Sequence, residues 1–231
     1  MSASYEFPRP LVTVDCVVLG VDEQGLKVLL LERDNEPYAG RWALPGGVVR
    51  EGQGLDAAAA DVLRRKVRLA EVFLEQLYTF GDPGRDPRGH VISVAYYALV
   101  RLRDHEVRAA TGAREVTWAA VGRLPTLPFD HARIVETATA RLRGKVTYDP
   151  RVVFALMPAR FTLPQLQQLY EAVLDTPLDK RNFRRKVLDQ WGILVETDGT
   201  APSVAGPPAR LHAFDEAAYA ERAASGFQFL L

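Results

Sequence analysis

The stretch Arg41-Trp42-Ala43-Leu44-Pro45-Gly46-Gly47-Val48-Val49 decides the fold of the first half of this chain. Its glycines permit positive φ angles and leave backbone amides uncovered, which suits a turn that approaches a phosphate. A helix is predicted over residues 55–67, because the alanine run 57–60 has the highest intrinsic helix propensity and an apolar stripe follows it. The sequence therefore predicts a glycine-led turn that enters a helix.

Strand patterns surround this turn on both sides. Residues 11–19 and 26–31 are rich in Val and Leu, and Asp22-Glu23-Gln24-Gly25 between them predicts a hairpin. Residues 90–101 are apolar on both faces, which predicts a central strand of a sheet. Further strands are predicted at 75–80 and 116–119, and a helix at 130–142. The first half of the chain is thus a mixed α and β unit.

The glycine-led turn resembles the entry to a Nudix box, the pyrophosphatase signature of Gly, five residues, Glu, seven residues and Arg-Glu-X-X-Glu-Glu. Counting from Gly47, the signature's positions are occupied in turn by Gln53, Asp61, Val62, Arg65 and Lys66. In the family these glutamates hold magnesium. The resemblance therefore implies a Nudix scaffold without its metal ligands.

Residues three and four apart share a helix face, so Val62, Arg65 and Lys66 are expected to project together. Magnesium needs oxygen ligands, and two cationic side chains would repel it by several kcal/mol, about 4 kcal/mol for each unit pair at 4 Å in a partly buried site. We therefore predict no metal site, no catalytic residue, no cofactor and no enzymatic activity. The alternative is an active ADP-ribose pyrophosphatase with displaced ligands drawn from Glu51, Asp56, Asp61 and Glu71.

The same substitutions suggest a binding role. Arg65 and Lys66 could neutralise a pyrophosphate directly, the arginine through its two-pronged guanidinium and the lysine as a point charge. The alternative is that both are solvated helix surface.

A turn-rich loop, Gly81-Asp82-Pro83-Gly84-Arg85-Asp86-Pro87-Arg88-Gly89, lies between two predicted strands. With its flanking residues Leu77-Tyr78-Thr79-Phe80 and Val91-Ile92-Ser93, it resembles the Nudix-related transcriptional regulators, NrtR, and related ADP-ribose hydrolases. The resemblance implies Arg85 and Arg88 as phosphate or ribose contacts and Phe80 as a base-stacking partner. The alternative is a structural loop that uses Asp-Pro as turn chemistry. The predicted effector-binding residues are Arg41, Gly46, Gly47, Arg65, Lys66, Phe80, Arg85 and Arg88.

Beyond residue 148 the pattern changes to short helices. Thr162 caps a predicted helix that carries Pro164 in its first turn. A basic segment, 179–188, follows a short turn and has an apolar stripe on one side, which is typical of a helix-turn-helix. Two strands, 193–197 and 209–214, flank a Gly/Pro-rich loop over 198–208 that we interpret as a wing.

The run from Phe161 to Lys186 resembles the winged-helix domain of NrtR proteins. Together with the Nudix-like part before it, the resemblance covers almost the whole chain in the right order. It implies an α+β protein with a Nudix-like α/β/α sandwich over residues 1–148 and a small winged helix-turn-helix domain over 149–231. The residues predicted to contact DNA are Thr162, Lys180, Arg181, Asn182, Arg184, Arg185 and Lys186. Arginine reads guanine edges and asparagine reads adenine, while the other cations hold phosphates.

The resemblance implies a repressor of bacterial NAD-metabolism genes that senses ADP-ribose or a related nucleotide and binds palindromic operator DNA as a homodimer. A regulator of sugar utilisation with a sugar-type effector is a second alternative. The bulk composition fits a cytoplasmic protein: 231 residues, 48% hydrophobic, no net charge, one cysteine and no apolar run of membrane-spanning length. The helix over 130–142 and the connector after it are predicted to transmit the effector signal.

Overall fold

The structure, a computed structural model, describes residues 9–70, 72–102, 113–201 and 208–231. Glu71, named above as an alternative metal ligand, lies outside the described residues. So do residues 202–207 of the predicted wing.

The first part of the chain builds one sheet, to which the described residues contribute seven strands. In chain order these strands are β1 (Leu11–Asp22), β2 (Gly25–Arg33), β3 (Trp42–Ala43), β4 (Gly46–Val48), β5 (Phe73–Phe80), β6 (Val91–Leu99) and β7 (Ala113–Ala120). The order of neighbours is β3-β2-β1-β6-β5, with β4 paired to β1 and β7 paired to β2. The predicted hairpin is confirmed as β1 and β2. The predicted central strand is confirmed as β6, which lies between β1 and β5.

Two helices accompany this sheet. Helix α1 (Leu55–Val67) has the predicted bounds, and Ala58, Ala59, Val62, Leu63 and Val67 form its buried stripe. Helix α2 (His131–Val146) begins one residue later than predicted and runs four residues further. Its inner face stays apolar to the end, because Leu142 and Val146 are both buried.

The remaining chain forms a second, smaller assembly of helices and strands. It contains α3 (Pro150–Phe154), β8 (Phe161–Thr162), α4 (Leu163–Leu174), α5 (Lys180–Arg184), β9 (Leu194–Ala201), β10 (Ala209–Phe214) and α6 (Glu216–Ala224). Helix α5 continues directly into a π-helical segment, Arg185–Trp191, that ends at Gly192 in the left-handed conformation. The sheet order among these strands is β8-β10-β9.

The sequence missed β8 and α6. β8 has only two residues and pairs across a long chain separation with β10, so it leaves no periodic pattern. α6 has no fully buried residue, although Asp215 caps it by accepting a hydrogen bond from the Ala218 amide. The predicted strand 209–214 is confirmed, and the strand predicted at 193–197 extends to Ala201.

By its internal contacts the chain divides into two compact units. The first unit holds the described residues within 9–19, 27–98 and 113–138. The second unit holds the described residues within 20–26, 99–102 and 139–231. Helix α2 therefore belongs to the first unit at its start and to the second at its end. The domain boundary at residue 148 stays a prediction. None of the helices formed by the described residues has the length and apolar character needed to cross a membrane.

Candidate functional site

A cavity of about 210 Å³ opens in the first unit beside the strands β1, β2 and β4. Five of the predicted effector residues line it: Gly46, Gly47, Lys66, Arg85 and Arg88. The other residues that line it are Thr13, Asp15, Leu31, Arg33, Asp34, Asn35, Glu36, Leu44, Val48, Asp86, Phe129 and His131.

Asp15 is a buried carboxylate in the cavity wall, and it explains why residue 46 is glycine. Asp15 is opposite Gly46 in the β1–β4 ladder and accepts a hydrogen bond of 2.5 Å from the Ser93 hydroxyl. A Cβ atom at residue 46 would lie 2.0 Å from Asp15 Oδ1, where no side chain fits. Gly46 and Gly47 do not use the positive φ angles that glycine permits, since neither is among the residues with positive φ. Residue 46 must be glycine because Asp15 leaves no space for a side chain, and not because of its backbone angle.

Gly47 sets the position of helix α1. A Cβ atom there would lie 3.0 Å from Val62 Cγ2, so the glycine lets the helix approach β4 closely. Val62 itself is 2% exposed. The position that aligns with a glutamate is therefore an apolar packing contact.

The two basic residues that follow Val62 do not share one environment. Arg65 and its neighbour Arg64 each bind Asp61, with nitrogen to oxygen distances of 2.6 Å. Burial alone would raise the pKa of Asp61, but hydrogen bonds and charge from Arg65 and Arg64 outweigh it and hold that pKa below its usual value. Lys66 instead lines the cavity, half-buried. Helix α1 thus turns one cation toward the cavity and pairs the others on its outer surface.

The residues at the Nudix-box positions do not fit a magnesium ion. Gln53 accepts a hydrogen bond from the Arg50 amide, Val62 is apolar, and Lys66 brings a positive charge. Of the alternative ligands, Asp56 accepts a 2.5 Å hydrogen bond from the Tyr96 hydroxyl, and Asp61 is bound by two arginines. Within the described residues, no group of three or more His, Cys, Asp or Glu side chains could hold a metal ion.

The predicted loop arginines are both held by carboxylates. Arg85, whose side chain is 4% exposed, makes a two-pronged pair with Asp130 at 2.6 and 2.9 Å and lies 3.7 Å from Asp15. Arg88 makes a similar pair with Asp86 at 2.6 and 2.9 Å. The hydrogen bond from the Arg88 side chain lowers the pKa of Asp86 more than the burial of the Asp86 carboxyl group raises it. Both arginines therefore help to fix the loop as well as lining the cavity.

The aromatic ring in the cavity wall is Phe129, which the sequence did not single out. The guanidinium carbons of Arg33 and Arg88 lie 5.2 and 5.8 Å from its ring centre, and Tyr38 packs edge-on at 5.0 Å. Phe129 also has a φ of 55°, which is rare for a bulky residue and marks a constrained position. Phe80, the predicted stacking partner, is only 4% exposed, packs on Tyr78 and does not line the cavity.

His131, at the start of α2, is a second buried polar residue that the sequence missed. Its Nδ1 accepts a 3.1 Å hydrogen bond from the Leu44 amide, so the ring proton of the neutral form is on Nε2, which lies 3.7 Å from Asp15. Burial lowers the pKa of His131 more than the charge of Asp15 raises it. In its neutral form, the ring of His131 therefore fixes the Leu44 backbone.

Three predicted effector residues lie outside this cavity: Arg41, which is exposed, Arg65 and Phe80. Of the residues the sequence missed, Asp15 lies in the strand predicted over 11–19, and Arg33 lies just beyond the strand predicted over 26–31, at the end of the observed β2. Only the sheet order brings the two residues to one place. A histidine beside an aspartate, Asp130-His131, was the one local signal that could have directed attention to His131. The role of all these residues in effector binding stays a prediction.

The second unit presents a helix-turn-helix. Thr162 and Gln165 form a capping box at the start of α4, with Gln165 Oε1 accepting from the Thr162 amide at 2.8 Å. Glu171 of α4 accepts hydrogen bonds from the Leu178 amide in the turn at 2.8 Å and from the Gln167 side chain of the same helix at 2.9 Å. Asp179 caps α5 by accepting from the Asn182 amide. These bonds fix the second helix relative to the first.

The second helix has one buried face and one basic face. The predicted apolar stripe is Phe183, Val187, Leu188 and Trp191. Three of these residues, Phe183, Val187 and Trp191, are at most 3% exposed, whereas Leu188 is half-buried. Five of the predicted DNA contacts on this helix are exposed, namely Lys180, Arg181, Asn182, Arg184 and Arg185, and Lys186 is half-buried. Arg185 donates a 3.2 Å hydrogen bond to the Asn182 side chain. Thr162 differs from the other predicted DNA contacts, because it is 5% exposed and its hydroxyl caps α4.

A helix-turn-helix with a basic second helix, beside a three-stranded sheet, defines a winged-helix protein. Comparisons with known proteins agree. The family model for the NUDIX domain matches residues 9–138, and that for the NrtR DNA-binding winged helix domain matches residues 153–214. The chain belongs to the NrtR family of Nudix-related transcriptional regulators, which confirms the predicted family and fold class.

Three relatives extend the comparison. The ADPR responsive transcriptional repressor NtrR of Acinetobacter baylyi is 37% identical over 90% of this chain and 84% of its own length. The crystal structure of Shewanella oneidensis NrtR complexed with a 27mer DNA is 32% identical, covers 90% of this chain and 95% of that one, and has a TM-score of 0.76. The NUDIX domain of the same Shewanella protein complexed with ADP ribose is 34% identical, covers 59% of this chain and 90% of that one, and has a TM-score of 0.54.

Proposed function

We propose that this chain is a DNA-binding transcriptional repressor of NAD-metabolism genes, and that its Nudix unit binds ADP-ribose or a related NAD-derived nucleotide without hydrolysing it. The observation that carries the proposal is the presence in one chain of a cation-lined cavity and an exposed basic helix of a helix-turn-helix. The relatives from Acinetobacter and Shewanella support both halves, since their descriptions name an ADPR-responsive repressor, a DNA complex and an ADP ribose complex.

The DNA half of the proposal follows from charge and exposure. Lys180, Arg181, Arg184 and Arg185 are exposed, and none of them makes an ion pair with a residue that the structure describes. Such cations are available to phosphates and to guanine edges, and Asn182 among them offers the groups that read adenine. We propose that the protein acts as a homodimer, because a two-fold protein reads the two halves of a palindromic operator.

The effector half requires a ligand that binds the DNA-competent and DNA-incompetent states unequally, since equal affinity would shift neither population. Helix α2 is our candidate for transmitting the difference. At its start His131 lines the cavity, and near its end Arg143 donates to the Val173 carbonyl of α4 at 3.0 Å and lies 3.5 Å from Asp175. One continuous helix thus carries a residue of the effector cavity and a residue that contacts the end of the first helix-turn-helix helix.

The test is a fluorescence anisotropy titration of the full chain with DNA from upstream of its own gene. ADP-ribose, NAD⁺, AMP, ribose 5-phosphate and a set of free sugars are then added in turn. We expect ADP-ribose to change DNA affinity at concentrations at which the sugars do nothing. A response to a sugar alone would replace the effector with a sugar-type one, and failure to bind any DNA at low salt would contradict the repressor role.

Catalytic inactivity is tested separately. The purified chain is incubated with ADP-ribose and Mg²⁺, and AMP is measured by chromatography. We expect no AMP above the uncatalysed background, because the Nudix-box positions carry no carboxylate set for the metal. Enzyme-dependent release of AMP would favour the displaced-ligand hydrolase.

A further inference from the structure

Two cations of the cavity, Arg33 and Lys66, differ from the others in having no carboxylate partner among the residues that the structure describes. Arg85 and Arg88 are each paired with an aspartate, as described above. Arg33 instead donates to backbone carbonyls, those of Pro37 at 2.9 Å and Asn35 at 3.2 Å. Lys66 makes neither a hydrogen bond nor an ion pair with any residue in the described parts of the chain.

Both cations are costly where they lie. Burial lowers the pKa of Lys66, and the positive charge of Arg33 lowers it further, while Asp15 acts in the opposite direction more weakly. Burial and the charge of Arg88 likewise lower the pKa of Arg33, against smaller contributions from Asp15, Asp86 and Glu36. A partly desolvated positive charge without a negatively charged partner is unfavourable until an anion binds. The cavity is therefore arranged for a ligand that carries negative charge.

The fold places this charge on rigid elements. Lys66 lies one helical turn after Val62, which packs against Gly47, so the helix cannot rotate the lysine away without losing that contact. Arg33 ends strand β2, and its two hydrogen bonds fix the guanidinium. Preorganised cations bind an anion with little further loss of conformational entropy.

We propose that Lys66 and Arg33 together take the place of a divalent cation, and that they bind the diphosphate of the effector directly and independently of metal. This deepens the proposed function and rests on it. A diphosphate diester carries a negative charge on each phosphate, so two cations match it. An arginine fork and a lysine point charge supply several donors to its oxygens. Arg65, one residue earlier in the sequence, has no part in this, because Asp61 already binds it.

The experiment measures ADP-ribose affinity of the full chain by isothermal titration calorimetry, in excess EDTA and in millimolar Mg²⁺. The wild-type affinity should be the same in both, within about twofold. Lys66→Ala should weaken binding about tenfold or more, the loss typical of a charge-assisted hydrogen bond. Lys66→Arg should keep most of the affinity, and Arg65→Ala, the matched control on the same helix, should change nothing.

Two further measurements make the result specific. Inorganic pyrophosphate should compete with ADP-ribose for the wild type and lose most of that ability with Lys66→Ala, whereas adenosine should compete equally with both. Thermal melting of each variant shows that the fold is intact. Tighter wild-type binding in Mg²⁺ than in EDTA would overturn the proposal, and so would wild-type affinity in a folded Lys66→Ala.

The two proposals fail in different ways. If the wild type binds ADP-ribose but Lys66→Ala binds it equally well, the diphosphate site is wrong and the effector stands. If the wild type does not bind ADP-ribose in either buffer, the proposed effector itself is wrong.

Discussion

The cation-lined cavity of the first unit and the basic helix of the second unit both collect positive charge, but they hold it in opposite ways. In the cavity, Arg85 is 4% exposed and bound by Asp130, with Asp15 near by. On the helix, the cations Arg184 and Arg185 are exposed, and neither has a carboxylate partner among the described residues. The same residue type is thus a structural element in one place and a free surface charge in the other.

The difference predicts that the cavity responds to pH and the basic helix responds to salt. A buried, paired charge contributes to the stability of the fold and to its pH dependence. An exposed, unpaired charge contributes little to stability and is available to a polyanion, so it responds to salt.

The largest expected effect is on stability, from truncation of the buried arginine. Arg85→Ala should lower the free energy of unfolding by about 3 kcal/mol or more, because Asp130 and Asp15 would remain partly buried without their cation. Arg184→Ala, the matched control, should change it by less than about 0.5 kcal/mol. Urea denaturation followed by circular dichroism measures both. Equal effects of the two changes would remove the distinction between the regions.

The next effect is on DNA affinity. Reversing two exposed charges with Arg184→Glu and Arg185→Glu together should weaken operator binding about a hundredfold or more, because two phosphate contacts become repulsive. ADP-ribose affinity should not change. The control reverses Arg64 and Arg65, which alters net charge equally but on α1. If that control weakens operator binding as much, overall charge and not the second helix holds the DNA.

The cavity should also show a pH dependence that the helix lacks. Burial lowers the folded-state pKa of His131, so the unfolded state binds the proton more readily. Stability attributable to the neutral ring is present above the ordinary histidine pKa of about 6.5 and is lost as the pH falls below it, by at most about 1.4 kcal/mol for each pH unit.

His131→Asn offers the control, because its side-chain oxygen can accept from the Leu44 amide without titrating. Urea denaturation at pH 7.5, 6.5 and 5.5 should show a smaller loss of stability for the variant than for the wild type. Parallel curves for the two proteins would show that this histidine does not titrate on unfolding.

The smallest expected effect is a change in salt dependence. Lys180→Ala should weaken operator binding only a few fold, but it should reduce the slope of log affinity against log salt by about 0.9, the value for one phosphate contact. Arg64→Ala, an exposed arginine bound to Asp61, should leave the slope unchanged. An unchanged slope for Lys180→Ala would place that lysine outside the DNA contact.

Much of the fold was predictable because its signals are local. The alanine run predicts α1 with its bounds, the turn at residues 22–25 predicts the β1–β2 hairpin, and the spacing of Phe183, Val187 and Trp191 predicts the buried face of the second helix. β8 and α6 were not predictable, because a two-residue strand and a helix without a buried face leave no period in the sequence.

The cavity was predictable only in part. Gly46, Gly47, Lys66, Arg85 and Arg88 follow from the resemblance, and all five line it. The aromatic ring that lines the cavity is Phe129 and not Phe80. Phe80 ends strand β5, and the face of the sheet on which a strand residue lies depends on the register of the whole sheet.

The sequence by itself determined the family, the order of the two folds and the loss of carboxylates at the Nudix-box positions, since each depends only on residue type and spacing. Tertiary structure alone decided which of two adjacent cations enters the cavity. Asp61 holds Arg65 on the surface of α1, while Val62 against Gly47 fixes the rotation that brings Lys66 inward. That choice depends on packing between a helix and a strand, which residue spacing does not encode.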